Sequence, residues 1–257
     1  MLEAVKMDGE CVTLRGGEAH HAVNVLRVRV GDVVEAGDGR GRVWKGIVTD
    51  MGEDGVRIRL TGEISTDIES RIEIMLALSL SRADRMELAL RQATELGVTG
   101  FAGFRAARSQ YGLPGDKANR RSKRWERIVE QALCQCGRTV APQLWILQNV
   151  ADLLEHVRFL ESERGEMFKV MALEGSGGVG LLSLWRSFPK CSRVFAVVGP
   201  EGGWERREVD QFIEAGFQPV SLGPRVLRLE TAATAFLSSI QLLWGDLGDE
   251  PSEGNRS

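Results

Sequence analysis

The sequence predicts an α/β protein with a small β domain at its front. Three observations carry that prediction. Residues 1–67 alternate apolar and polar side chains between glycine- and aspartate-rich turns, "RIEIMLALSL" (71–80) is a near-continuous apolar run, and beyond it apolar strands alternate with segments of helical period. A period of two marks strands with one wet face, and a run apolar at every position marks a strand covered on both faces. Strands separated by helices give a mostly parallel sheet.

Within residues 1–67, "VLRVRVGDVVEAGDGRGRVWKGIVTDMGEDGVRIRL" is cut at Gly31-Asp32, at Gly37 to Gly41 and at Gly52 to Gly55. Short strands at such regular spacing predict a small barrel or sandwich. Residues 62–70, "GEISTDIES", read as a linker, and a second domain takes 71–247. After its first strand, Met86, Ala89, Leu90, Ala93 and Leu96 fall at helical spacing, and Gly97 ends the helix. "VTGFAGF" is the next strand, and a basic helix from about Asn119 to Gln135 puts Trp125, Ile128, Val129, Ala132 and Leu133 on one face. The strands "MFKVMAL" and "RVFAVVG" follow, then a helix over Trp204 to Ala215, the short strand "QPVSL", and a last helix over Thr231 to Trp244 with Thr231 as its N-cap. Residues 248–257 close a polar, mostly acidic end and are expected to be disordered.

The apolar fraction of 43% and charged fraction of 27% are those of a soluble globular chain, and 257 residues are enough for one large domain or two smaller ones. No apolar run reaches the ~18 residues of a membrane span, and the N-terminus lacks the apolar stretch of a signal peptide, so a cytoplasmic location is expected. Of the four cysteines only Cys134 and Cys136 lie close, as C-x-C, and there are three histidines, so no metal site is expected. The net charge is −3, but from Arg105 to Arg138 nine Lys/Arg stand against three Asp/Glu. Positive charge gathered in mid-chain points to phosphates as a partner.

Three glycine-rich segments are candidates for a ligand site. "GSGGVG" (175–180) matches G-x-G-x-x-G after a strand, which suggests a dinucleotide fold and a nicotinamide oxidoreductase. The helix behind it is short, however, and the next acid, Glu201, lies inside another loop. In "VVGPEGGW" (197–204) an apolar strand runs into Gly199-Pro200-Glu201-Gly202-Gly203 just before a helix. Bare backbone at the carboxyl end of a parallel strand can approach a ligand closely. "SLGPRVLRLETAATAF" is a second strand, loop and helix of the same kind, with Arg225, Arg228 and Glu230 at the mouth of the helix. Two such loops side by side would form one pocket. The three charges would then act on a substrate, or else be solvated, with Glu230 complementing the helix N-terminus.

The pair GPEGG and LGPRVLRLETAA resembles the signature of the RsmE family, the 16S ribosomal RNA uridine-N3 methyltransferases of the SPOUT superfamily. "HHAVNVLRVRVGD" (20–32), "RADRMELALRQATELGV" (82–98) and "RWERIVEQALCQCGR" (124–138) resemble further segments of the same family in the same order. The resemblance implies a PUA-like β-barrel, an α/β domain with a deep trefoil knot, a homodimer, and S-adenosyl-L-methionine as methyl donor. It carries the cofactor contacts onto Leu173, Gly199, Pro200, Glu201, Gly202 and Gly203, and onto Leu222, Gly223, Val226, Leu227 and Arg228. It implies 16S ribosomal RNA or the small ribosomal subunit as partner, with Arg27, Arg108, Arg120, Arg121, Arg124 and Arg138 as its contacts. For uridine N3 the nucleophile is an imide nitrogen that must lose a proton. A guanidinium beside it would stabilise the anion, which assigns that role first to Arg228 and then to Arg225, with Glu230 as base or as orienting partner. A catalytically inactive RNA-binding protein of the same fold is the other alternative.

Overall fold

A computed structural model describes residues 11–24, 26–109 and 115–248; the tail expected to be disordered lies, from residue 249 on, outside the described residues. The chain forms two compact units. One takes the chain up to Glu69 together with Gly137–Ala141, and the other takes Ser70–Cys136 and the chain from Pro142.

The first unit carries a four-stranded antiparallel sheet of order β1-β4-β3-β2, with β1 Cys11–Leu14, β2 Val33–Gly37, β3 Val43–Gly52 and β4 Gly55–Ile64. The alternation seen in the sequence sends Val48, Val56 and Ile58 to one small core. Ala22 joins that core from a helix, α1 (Gly16–Asn24), inside a region read from the sequence as β only. Glycines and histidines mask its period, and only Ala22 of its nine residues is buried.

The stretch 137–141 is tied into this unit by Glu69. One oxygen of its carboxylate accepts from Arg138 Nε and Nη2 at 3.0 and 2.7 Å. The other accepts the backbone N–H groups of Thr139 and Val140 at 2.7 and 3.0 Å. Arg138, expected from the sequence to contact RNA, is only 7% exposed and its guanidinium is engaged by Glu69 within the fold. Burial pushes the Glu69 carboxyl up, but the Arg138 hydrogen bond, the Thr139 N–H, the Arg138 charge and the Val140 N–H outweigh burial and hold it below its ordinary value. A carboxyl lowered in the folded state stabilises above its unfolded pKa of roughly 4.3, and that stability is lost as pH falls through the folded value. Glu69→Gln is therefore expected to cost at least about 1 kcal/mol at pH 7. The gap to wild type should shrink as pH falls through the folded value, once the Glu69 carboxyl is protonated; urea unfolding across an acid pH series measures it.

The second unit is a seven-stranded, wholly parallel sheet of order β7-β6-β5-β10-β8-β11-β9. Its strands are β5 Glu73–Ser79, β6 Gly100–Phe104, β7 Gln143–Leu147, β8 Phe168–Ala172, β9 Val179–Gly180, β10 Arg193–Val198 and β11 Gln218–Ser221. The helices are α2 Ala83–Glu95, α3 Gly115–Cys136, α4 Val150–Arg164, α5 Leu181–Ser187, α6 Arg206–Glu214 and α7 Leu229–Trp244. The apolar run at 71–80 is the interior strand β5, buried along nearly its whole length. On one face Met75, Ala77, Phe195 and Val197 meet Leu153, Val157 and Leu160 of α4 and Phe212 of α6. On the other, Trp125 of α3 packs edge-on against Phe101 and fills the space over Gly103, where an added Cβ would lie 2.5 Å from its ring. β7 and α4 lie in a stretch to which the sequence reading gave no element; α4 is capped by Asn149, whose side chain accepts the Asp152 N–H. β10 enters between β5 and β8, so strands late in the sequence are not simply added at an edge.

Candidate active site

Parallel sheets bind ligands at the carboxyl ends of their strands, where the strand order switches. Here the ends of β8, β10 and β11 open into three loops, and those loops wall a single cavity of about 700 Å³.

The loop after β10 is the tightest. Gly203 N–H donates to the Pro200 carbonyl at 2.8 Å, and Gly203 has φ +74°, a conformation that favours glycine. The Trp204 ring lies directly on Gly199, and its Nε1 donates to the Ala172 carbonyl of β8 at 2.9 Å. α6 then starts two residues later than the sequence suggested. Its N-cap is Glu205, in a reciprocal capping box with Glu208, whose other oxygen accepts the Ala107 N–H at 2.8 Å. Arg108, from the loop after β6, donates Nη1 to the Gly202 carbonyl at 3.1 Å.

The loop after β11 leads into α7, which starts at Leu229 with Arg228 as N-cap; Thr231 lies inside the first turn and is not the cap. The Arg228 carbonyl accepts the Ala232 N–H at 2.8 Å, and its side chain is exposed. Glu230 Oε2 is sealed from solvent and has no hydrogen-bond partner among the described residues.

The loop after β8 is "GSGGVG", which forms a 3-10 turn (Gly175–Gly177) and then β9 along β11. An added Cβ at Gly178 would lie 2.6 Å from Ser221 N and from the Val220 carbonyl carbon. That glycine lets two backbones touch and so serves the fold. The seven-residue α5 behind it is also too short for a dinucleotide fold.

Of the expected cofactor contacts, Leu173, Gly199, Pro200, Glu201, Gly203, Leu222, Gly223 and Leu227 line the cavity, as does Arg225. Gly202, Val226, Arg228 and Glu230 are not in its wall. An added Cβ at Gly202 would face Arg108 Cβ at 3.3 Å, and Val226 is 76% exposed. The sequence reading missed Glu174, Gly177, Trp204, Arg206 and Asp210 as wall residues. Gly177 was signalled by its motif, but the motif suggested a different ligand; nothing in sequence marks Trp204 as the lid over Gly199.

The expected RNA contacts separate into different environments. Arg108 is exposed and also lines the cavity. Arg120 is exposed on α3. Arg124 donates Nη2 to Glu87 Oε2 at 2.7 Å, so its charge is partly balanced. Arg121 is half-buried, its Nη1 is sealed and has no hydrogen-bond partner among the described residues, and burial lowers its pKa. Arg27, in the first unit, is exposed and has φ 54°, the left-handed region that few residues other than glycine adopt. Among the described residues no group of three His, Cys, Asp or Glu side chains is placed to hold a metal ion, and no helix is long and apolar enough to cross a membrane.

Residues 68–241 match the model of an RNA methyltransferase domain, and residues 14–61 match an RNA methyltransferase PUA domain. The chain is 32% identical over 242 residues to the ribosomal RNA small subunit methyltransferase E of Bacillus subtilis, covering 91% of this chain and 92% of that one. It is 30% identical to the protein of the same name from Mycobacterium tuberculosis, over 91% and 87% of the two chains. Among solved structures it is similar to a ribosomal RNA small subunit methyltransferase E from Neisseria gonorrhoeae bound to S-adenosyl methionine, with TM-score 0.81, 31% identity and 96% and 95% of the two chains covered. It is equally similar to a Legionella pneumophila protein described as a putative methyltransferase in complex with the same cofactor, with TM-score 0.82, 30% identity and coverage of 93% and 94%.

Proposed function

We propose methyl transfer to RNA as the work of this cavity, on the premise that the chain belongs to the ribosomal RNA small subunit methyltransferase E family. The reaction is S-adenosyl-L-methionine-dependent methylation of N3 of a uridine in 16S ribosomal RNA, in the cytoplasm. The observation that carries it is the single cavity walled by three glycine-rich loops at the carboxyl ends of β8, β10 and β11. Its volume lies within the ~300–1,000 Å³ of small-molecule sites. Its wall suits a molecule with a flat ring, a sugar and a charged amino-acid end. Leu173, Pro200 and Leu227 are apolar, Glu174, Glu201 and Asp210 are acids, and Arg225 is a cation. Relatives at 30–31% identity are bound to that cofactor in their solved structures.

When bound, S-adenosyl-L-methionine supplies a methyl group on a sulfonium. The chain's own residues must bind and orient the reactants, exclude water and handle one proton. Arg228, exposed beside the cavity-lining Leu227, is the first candidate to stabilise the uracil anion, with Arg225 on the wall as second. Glu230 accepts the N3 proton or orients an arginine. N3 is paired in a duplex, so the uridine must be single-stranded or extruded. Incubation with labelled S-adenosylmethionine and unmodified small-subunit RNA or particles, followed by nucleoside mass spectrometry, should give 3-methyluridine. Cofactor and RNA binding without label transfer would instead establish the inactive RNA-binding reading.

Phosphates are assigned to the exposed cations of α3, with Arg108 and Arg27. Replacing both Arg120 and Lys123 by Glu is expected to weaken RNA binding. It should flatten the slope of log affinity against log salt by roughly 1.5–2 units, because two fewer counterions are released. An unchanged slope in filter binding would place this helix face away from RNA.

A homodimer belongs to the same reading, with a changed basis. Of the apolar residues of α7 that suggest pairing with a second copy, Ala232, Phe236 and Ile240 are buried inside the protomer, and Leu243 and Trp244 are half-buried. Leu88 of α2, Val226 and Leu242 at α7, and Leu247 just beyond it are exposed. Light scattering should give twice the chain mass, and a monomer at micromolar concentration would remove the dimer from this account.

A further inference from the structure

Glu201 is the one acid within the Gly-Pro-Glu-Gly-Gly loop, and its two oxygens are treated differently. Oε1 accepts from Arg85 Nη1 of α2 and from Ser81 Oγ, just beyond β5, at 3.4 Å for the latter. Oε2 has no partner among the described residues, although Glu201 lines the cavity. The Arg85 side chain is itself three-quarters covered, so the pair is shielded from solvent on one side. Arg85 itself is not in the cavity wall, so it can act on the cavity only through Glu201.

We propose that Arg85 is a positioning residue: by holding Oε1 it fixes the Glu201 carboxylate so that Oε2 faces the cavity and accepts a hydrogen bond from the methyl donor. The inference rests on the reading that this cavity takes S-adenosylmethionine. A carboxylate oxygen can serve either a ribose hydroxyl or the amino-acid ammonium, both donors on that molecule. A carboxylate swinging free would lose rotational entropy on binding, whereas one already clamped does not. The clamp also joins the loop after β10 to the segment after β5, across the strand pair at the centre of the sheet. Without Arg85, Glu201 would keep its charge but not its direction.

Calorimetric titration of the full chain with S-adenosylhomocysteine and with 5′-methylthioadenosine, which keeps the ribose but lacks the amino acid, tests this. Glu201→Gln, Glu201→Ala and Arg85→Ala are each expected to weaken S-adenosylhomocysteine about tenfold or more, the scale of one hydrogen bond to a charged group. Arg85→Lys should restore most of the affinity, because an ammonium can still hold one oxygen. A general loss of packing would not be rescued in that way. If 5′-methylthioadenosine weakens in parallel, the donor is a ribose hydroxyl; if only S-adenosylhomocysteine weakens, it is the ammonium; either result supports the proposal. Wild-type affinity for both ligands in Arg85→Ala or in Glu201→Ala overturns it. Failure of the wild-type chain to bind either ligand would instead overturn the cofactor reading, which keeps the two failures distinct.

Discussion

Gly199→Ala is expected to weaken S-adenosylmethionine by about 10- to 100-fold while leaving a folded protein, because overpacking costs roughly 1–3 kcal/mol and here falls on a cavity wall. The new Cβ would lie 2.4 Å from Trp204 Cε2 and 2.6 Å from its Nε1. Real Cβ atoms do not come so close, so something must move. The ring has little freedom. Its Nε1 is bonded to the Ala172 carbonyl, one face is stacked near Phe104 at 6.1 Å between centroids, and Phe212 meets it edge-on at 5.0 Å. Relief must come from the end of β10 or from Trp204 sliding off β8, and both belong to the cavity wall. Trp204→Phe in the same background, with a smaller ring, should recover part of the affinity. Calorimetry with S-adenosylhomocysteine reads both variants, and near-wild-type binding by Gly199→Ala would show that the wall adjusts freely. Gly202→Ala is the control: its Cβ would lie 3.3 Å from Arg108 Cβ, a contact that a shift of a few tenths of an ångström relieves, and it does not meet Trp204.

The contrast between these two glycines shows what the sequence could and could not convey. GPEGG announces a close backbone approach, and its position after an apolar strand places it at the ligand edge of a sheet. Which glycine touches ring, arginine or ligand depends on a tryptophan one residue past the motif and on an arginine nearly a hundred residues earlier. The sheet itself was legible wherever burial on both faces removes polar residues, as in β5 and β10. α1 was not, because only one of its residues is buried, and β7 was not, because it lies at the sheet edge and is half-exposed. Arg138 shows the limit for charge: in sequence it stands among eight other cations, but its partner Glu69 lies 69 residues away. A count of charges cannot tell a guanidinium facing solvent from one used within the fold. The expectation of a knot came only from family resemblance, since physical rules of chain connection argue against one.

Arg228→Ala is expected to lower kcat by roughly 10² or more, the usual scale for removing one charge-stabilising donor from a transition state. The position is suited to chemistry more than to cofactor binding. Its backbone caps α7 through the Ala232 N–H, so the helix start survives the substitution, and its side chain is exposed rather than part of the cavity wall. Affinity for S-adenosylmethionine should therefore change little, and RNA affinity only modestly, since other cations hold the backbone. Arg228→Lys should rescue in part, because an ammonium lacks the planar fork that can address two oxygens at once. The pH profile separates a catalytic role from a structural one. If the guanidinium stabilises the deprotonated imide, it lowers the apparent pKa of N3, and the alanine variant should regain activity as pH rises toward the unperturbed value. Glu230→Gln divides the remaining possibilities, since one oxygen of that carboxylate is buried without a partner among the described residues. A loss that high pH relieves assigns Glu230 as the base, and a small loss at every pH leaves it orienting an arginine. Single-turnover measurement on small-subunit RNA checks all three variants. Near-wild-type turnover by Arg228→Ala would move the charge-stabilising role to Arg225, the arginine of this loop that does line the cavity.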